Sequence, residues 1–186
     1  SAQTAIVDPE LVHGEELVLS LAGVVGVEGV GFAGVRLDGV GGEERLAERP
    51  ASAIDLVVIH CTELPDMAMA REFGERIRYE DSQTGNSGHY YIDRDGRTSR
   101  YVDDRRVAHH VFRYNPRSIG IQLVNLGRYP NWADSRHQSF TEPYTEAQIE
   151  SLLALLAQLK NKLPNLQWIA GHDVLDQRKE PASDNP

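Results

Sequence analysis

A chain of 186 residues with 40% hydrophobic content can bury the core of one domain and carry an extension besides. Its net charge of -9 argues against nucleic acid as the main partner, since phosphate recognition wants a basic face. No apolar run approaches the ~18 residues of a membrane span, and the single cysteine, Cys61, excludes an intrachain disulfide.

Residues 1–50 read as an N-terminal extension of unknown role, set apart from a domain over 51–186. Within the extension, the stretch from Glu16 to Leu21 suits a short strand. Gly23 to Gly42 alternates glycine with valine, as in short hairpins or loosely packed β-structure. A GxGxxG-like run from Gly29 to Gly34 lacks the following helix that a nucleotide loop needs. Arg49 to Ser52 reads as a linker.

Leu56 to Cys61 then forms a continuous apolar, β-branched run, the pattern of a buried strand, with His60 near its end. Pro65-Asp66 starts a helix with Met69, Phe73 and Ile77 on one face. Ser82 to Gly88 is a polar loop. His89 to Asp93 and Thr98 to Val102 flank Arg94-Asp95-Gly96-Arg97, a hairpin signal because glycine accepts the positive φ of the turn. His109-His110 and a loop from Tyr114 to Ser118 precede a strand from Ile119 to Val124, whose one long polar side chain is Gln122. A long loop follows from Asn125 to Pro143, anchored by Tyr129 and Trp132. Thr145 to Leu163 is the clearest helix. It has a capping box at Thr145 and Gln148, and an apolar stripe of Ile149, Leu152, Leu153, Leu156 and Leu159 predicted to pack on the core. Trp168 to Gly171 then runs as a strand into His172. Strands separated by helices imply an α/β fold, a mixed central β-sheet flanked by helices.

Two strands that each deliver a histidine at a sheet edge suit a two-imidazole zinc site. Zinc takes a third protein ligand in catalytic sites, and the tail offers Asp173, Asp176, Glu180 and Asp184, or another histidine. Such a centre, with a water on its open position, performs hydrolysis of an amide or ester carbonyl.

Four pieces come in a telling order: Val58 to Thr62, Gly88 to Gly96, Asn115 with Ser118 to Ile121, and Ala170-Gly171-His172. Together they resemble the type-2 N-acetylmuramoyl-L-alanine amidases, the zinc family that shares its fold with T-odd phage lysozymes and the peptidoglycan recognition proteins. The resemblance covers residues 52–186. It implies cleavage of the bond between the lactyl group of N-acetylmuramic acid and L-alanine, in peptidoglycan or muropeptides, by a monomer that uses Zn2+. It assigns His60 and His172 as zinc ligands and places His110 in the substrate cleft. His89 supports the site from the next strand, and Asn115 and Arg117 lie in a loop that contacts muropeptide. A peptidoglycan-binding module on the same fold is the alternative.

Two departures matter. Where the family branch carries a glutamate that acts on the attacking water, this chain has Gln122, which can orient water but not take its proton. Gln122 therefore reads as an inactivating or slowing change. A tyrosine that some members carry before the His89 position is here Gly88. Relatives also continue into Lys-x-Asp-Pro-Gly, whose aspartate is the third ligand and whose lysine stabilises the oxyanion. In this chain Asp184 stands nearest the ligand role and Arg178 and Lys179 are the nearby cations, or the ligand lies beyond Pro186. The chain begins at Ser1, which is compatible with a removed leader and leaves the compartment open between cytoplasm and cell envelope.

Overall fold

Alternation along two central strands decides the architecture. In Leu56–Cys61 (β3) and Ser118–Leu123 (β6), which pair in parallel with His60 opposite Gln122, odd and even positions face opposite sides of the sheet. Both sides are covered, so both strands are apolar almost throughout. The computed structural model describes residues 18–23, 34–176 and 178.

Five further strands complete a seven-stranded mixed sheet: Val18–Ser20 (β1), Val35–Leu37 (β2), Tyr90–Ile92 (β4), Thr98–Arg100 (β5) and Trp168–Gly171 (β7). Their order is β1-β7-β3-β6-β4-β5-β2. β7, β3, β6 and β4 run parallel, β1 lies antiparallel on β7, and β4 and β5 form the expected hairpin, with Gly96 at φ 86° in its turn. Both edge strands come from the first fifty residues, β2 pairing in parallel with β5. The GxGxxG-like run lies outside the described residues apart from Gly34.

One face of the sheet is closed by Glu146–Lys162 (α2). Thr145 accepts from the Gln148 backbone N–H while the Gln148 side chain accepts from the Thr145 N–H, so the capping box forms as read. The expected stripe is borne out in part: Leu156 and Leu159 are buried in the core and Leu152 packs against it. Leu155, Leu156, Leu159 and Leu163 pack on Val57, Ile119, Ile121 and Ile92, whereas Ile149 is 42% exposed. The reason is Gln148, fully buried beneath the helix, where its amide donates to the carbonyls of Ile92 and Val124. A hydrophobicity pattern assigns that position to solvent and so misreads the first turn, placing Ile149 inward where Gln148 is buried.

The other face is covered by Met67–Glu75 (α1) and by loops. Asp66 caps α1 by accepting from the Met69 N–H. The expected face of Met69, Phe73 and Ile77 is not the buried one. Ala70 and Gly74 pack inward, Phe73 stands at the surface, and the helix ends before Ile77. The loop from Asn125 to Pro143 is tied down by charge-assisted pairs, Arg128 to Glu63 and Arg94 to Glu142. No described helix is long and apolar enough to cross a membrane.

Candidate active site

The loop-covered face carries the polar groups. His60 ends β3 on this face, and Gln122 sits opposite it on β6. His172 follows β7, the strand on the other side of β3, as the first residue of the short helix His172–Leu175 (α3). Parallel pairing thus brings two residues 112 positions apart in sequence to one sheet edge, with ring centroids 4.8 Å apart. His60 is buried, and burial, reinforced by His110 and His172, holds its imidazole well below the usual histidine pKa. A neutral imidazole is the form that binds metal.

His110 completes a row. Its Nδ1 lies 2.9 Å from His60 Nε2 and its Nε2 lies 3.2 Å from Ser118 Oγ, so it links the strand end to the strand start. Burial, with His89 and Arg49 nearby, also holds its pKa well below the usual value. The ring lies against the backbone of Gly120, where an added Cβ would come within 2.8 Å of ring atoms. Gln122 is seated in the same way on Gly88, where a Cβ would meet its Cγ at 2.8 Å. A tyrosine at position 88 could not coexist with this placement of Gln122. Among the described residues the Gln122 amide makes no hydrogen bond, and it lines the cleft.

His89 lies beneath this layer and is fully buried. Its Nδ1 accepts from the Gly120 N–H at 3.0 Å, which leaves Nε2–H to donate to the Arg106 carbonyl at 2.9 Å. Burial first, then the Arg49 charge, pushes its pKa down to about 3. It therefore braces the strand under His110 instead of touching anything in the cleft. Asn115 lines the cleft but spends its Oδ1 on the backbone N–H groups of His110 and Val111. Arg117 stands elsewhere. It forms a two-pronged pair with Asp55, just before β3 and five residues ahead of His60, and is absent from the cleft wall. Lys179 and Asp184 lie outside the described residues.

The cleft above these groups has a volume of about 1000 Å3. Its floor is His60, His110, Gln122 and His172, and its walls come from α1, the segment 76–87, the loop 109–117 and the residues after β7. Among the described residues no group of three His, Cys, Asp or Glu side chains is arranged to hold a metal. Two imidazoles suit zinc, and of the tail carboxylates Asp176 lies 3.8 Å from His172 Nε2 but is paired with Arg178.

Comparison with known proteins agrees with this layout. A family model described as N-acetylmuramoyl-L-alanine amidase matches residues 50–183. The chain belongs to this family. No curated protein matches the sequence. Among solved structures, the amidase LysC of Clostridium intestinale URNW has a TM-score of 0.59 at 22% identity, covering 82% of this chain and 91% of its own. Drosophila PGRP-LB gives 0.56 at 18% identity, covering 80% and 89%. AmpDh3 of Pseudomonas aeruginosa gives 0.52 at 22% identity, covering 68% and 52%. The amidase fold is thus shared, as the sequence resemblance implied.

Sequence reading missed one buried residue beneath the cleft outright. Arg49, read as linker, is buried and donates to the carbonyls of Asp104 and Asn115 at 2.9 Å each, with its guanidinium 3.1 Å from His89. Desolvation pushes its pKa down to about 10 even with Asp104 nearby. An isolated arginine before a proline carries no signal of burial. Gly120 did carry one, since glycine inside an apolar strand marks a close approach.

Proposed function

We propose that the chain is a zinc-dependent amidase that cleaves between N-acetylmuramic acid and L-alanine in peptidoglycan or muropeptides. The observation that carries this reading is the meeting of His60 and His172 at the floor of a large cleft, with Gln122 opposite His60. In it, His60 and His172 hold zinc, Asp184 is the candidate third donor, and Lys179 is the candidate cation for the oxyanion. Zinc when bound polarises a carbonyl and acidifies a water. The chain's own residues orient and exclude. Gln122 can fix a water by hydrogen bonds but cannot accept its proton. His110 stands over the cleft floor, and Asn115 keeps its amide N–H2 for a ligand while its oxygen holds the loop. On this reading His89 acts as a brace. Arg117, paired at the far end of the strand, has no part.

Gln122 also favours a second reading. A chain that retains the cleft and both imidazoles but lacks a proton acceptor suits a module that binds muropeptide without turnover. Metal analysis of the protein and a stem-peptide release assay separate the two. The enzyme reading expects stoichiometric zinc, lost in His60→Ala, with slow release of peptide. Retention of stoichiometric zinc by His60→Ala would refute the ligand assignment. Tight muropeptide binding with no release, even after Gln122→Glu, would establish the binder.

A further inference from the structure

Arg49 is 7% exposed, yet among the described residues it bonds to backbone carbonyls and to no carboxylate. A buried guanidinium without a counter-ion is destabilising, and an apolar side chain would fill the same space at lower cost. Shortage of partners does not explain this, since the chain holds 28 acidic against 19 basic residues. Asp104, whose charge does bear on Arg49, turns its oxygens to the Tyr90 hydroxyl and the Lys162 ammonium at 2.6 Å each. It offers Arg49 only its main-chain carbonyl.

What the arginine holds instead is the support of the cleft wall. Its own backbone is fixed first, the Arg49 N–H donating to the Arg105 carbonyl and the Val107 N–H to the Ala47 carbonyl, both at 2.8 Å. From that base the guanidinium reaches His110 by two routes. Through Nη1 it holds the Asn115 carbonyl, while Asn115 Oδ1 accepts from the backbone N–H groups of His110 and Val111 at 3.0 and 2.8 Å. Through Nη2 it lies 3.1 Å from His89 Nε2. The other nitrogen of that ring accepts from the N–H of Gly120, the residue on which the His110 ring lies. The His89 contact is not a hydrogen bond, because Nε2–H already donates to the Arg106 carbonyl and two donors face each other. Such a contact persists only while the Asp104 and Asn115 carbonyls keep the guanidinium in place, so Arg49 and His89 are seated together.

We propose that Arg49 is a positioning residue, which keeps the His110 ring and the Asn115 amide in register with His60 while touching no ligand itself. It is absent from the cleft wall, whereas His60, His110 and Asn115 all line it. The family match begins one residue later, at 50, so the matched segment by itself lacks this support. The consequence for binding rests on the muropeptide reading; the consequence for the His110 ring does not.

The test compares the full chain with Arg49→Met, which keeps the stem without charge or donors, with Arg49→Lys, and with Leu159→Ala as a destabilised control on the other face of the sheet. Two things are read: the imidazole NMR signals of His110 without ligand, and calorimetric affinity for a soluble muramyl tripeptide. The unmodified protein and Leu159→Ala should show one sharp set of His110 ring signals, and Arg49→Met should broaden or split it. Affinity should fall about tenfold in Arg49→Met, the scale of a hydrogen bond to a charged group. In Leu159→Ala it should stay within about twofold, because that site is distant and independent. Arg49→Lys should fall between, since one ammonium keeps the charge but not the fork that spans two carbonyls. Should Arg49→Met fail to fold, Arg49→Lys carries the test by the same two readings. Sharp His110 signals with unchanged affinity in the folded variants overturn the proposal, and so do equal losses in Leu159→Ala, which would mark a merely structural role. If the unmodified protein binds no tripeptide, the muropeptide reading falls, and the positioning role stands or falls on the ring signals alone.

Discussion

The two faces of strands β3 and β6 were built from the same ten-odd residues and serve opposite ends. Val57, Ile119 and Ile121 turn toward α2 and pack in an apolar cluster with Ile54, Ile92 and the leucines of the helix, so that face is sealed. Val58, His60, Gly120 and Gln122 turn the other way, where glycines take the place of bulk so that a histidine and a glutamine can lie flat on the strand. The sealed face supplies stiffness, and the other face uses it to hold polar groups in register. Neither could be optimised alone, because adjacent residues of one strand belong to different faces.

That division can be broken from either side, and the effects should not mix. Gln122→Glu on the cleft face should raise stem-peptide release by about 10²–10⁴-fold, the usual worth of general acid–base help, given a complete third-ligand segment. Its effect on the urea midpoint should be small. A glutamine form that already turns over as fast as the glutamate form would make Gln122 a spectator. On the sealed face, Leu159→Ala should cost about 2–5 kcal/mol through a cavity beneath α2, read from denaturant midpoints. Muropeptide affinity of the folded fraction should hold. A cost under about 1 kcal/mol would show that α2 does not close the core.

Acid tests the layer between the faces. His89 has a folded pKa of about 3 against an ordinary 6.5, so the unfolded chain takes up a proton that the folded one refuses. Its contribution is complete above pH 6.5 and falls as pH drops toward 3, by about 1.4 kcal/mol per pH unit. Replacing His89 by Gln should flatten that part of the stability profile, even though the protein becomes less stable throughout. An unchanged slope would mean that another group dominates acid unfolding. The smallest effect expected is at Ile149, where alanine should change stability by no more than about 0.5 kcal/mol because the side chain is largely exposed. A loss comparable to Leu159→Ala would restore the stripe read from the sequence.

What the sequence revealed followed from how local each signal was. Apolar runs ending in His60 and His172 announced both strands and their shared edge, since burial pattern and chain order were enough. The hairpin at Gly96 and the cap at Thr145 were equally local. The seating of the first turn of α2 was not, because it hangs on Gln148 reaching carbonyls that precede it by 56 and 24 positions. Arg49 was hidden for the same reason, its acceptors lying 55 and 66 residues onward. Arg117 was misplaced because nearness in sequence to Asn115 says nothing about which end of β6 it occupies. The loop turns between them, leaving Asn115 at the cleft and Arg117 with Asp55.

The two outermost strands have a bearing on how this protein behaves in company. β1 and β2 are three residues each, and between them they cover β7, the strand leading to His172, and β5. Cutting the chain at the start of the family match would keep every histidine of the cleft yet bare the borders of β7 and β5, each a template for another chain's backbone. It would also delete Arg49 from under the site. Such a fragment should self-associate more readily than the full chain, a difference that light scattering of the two would read.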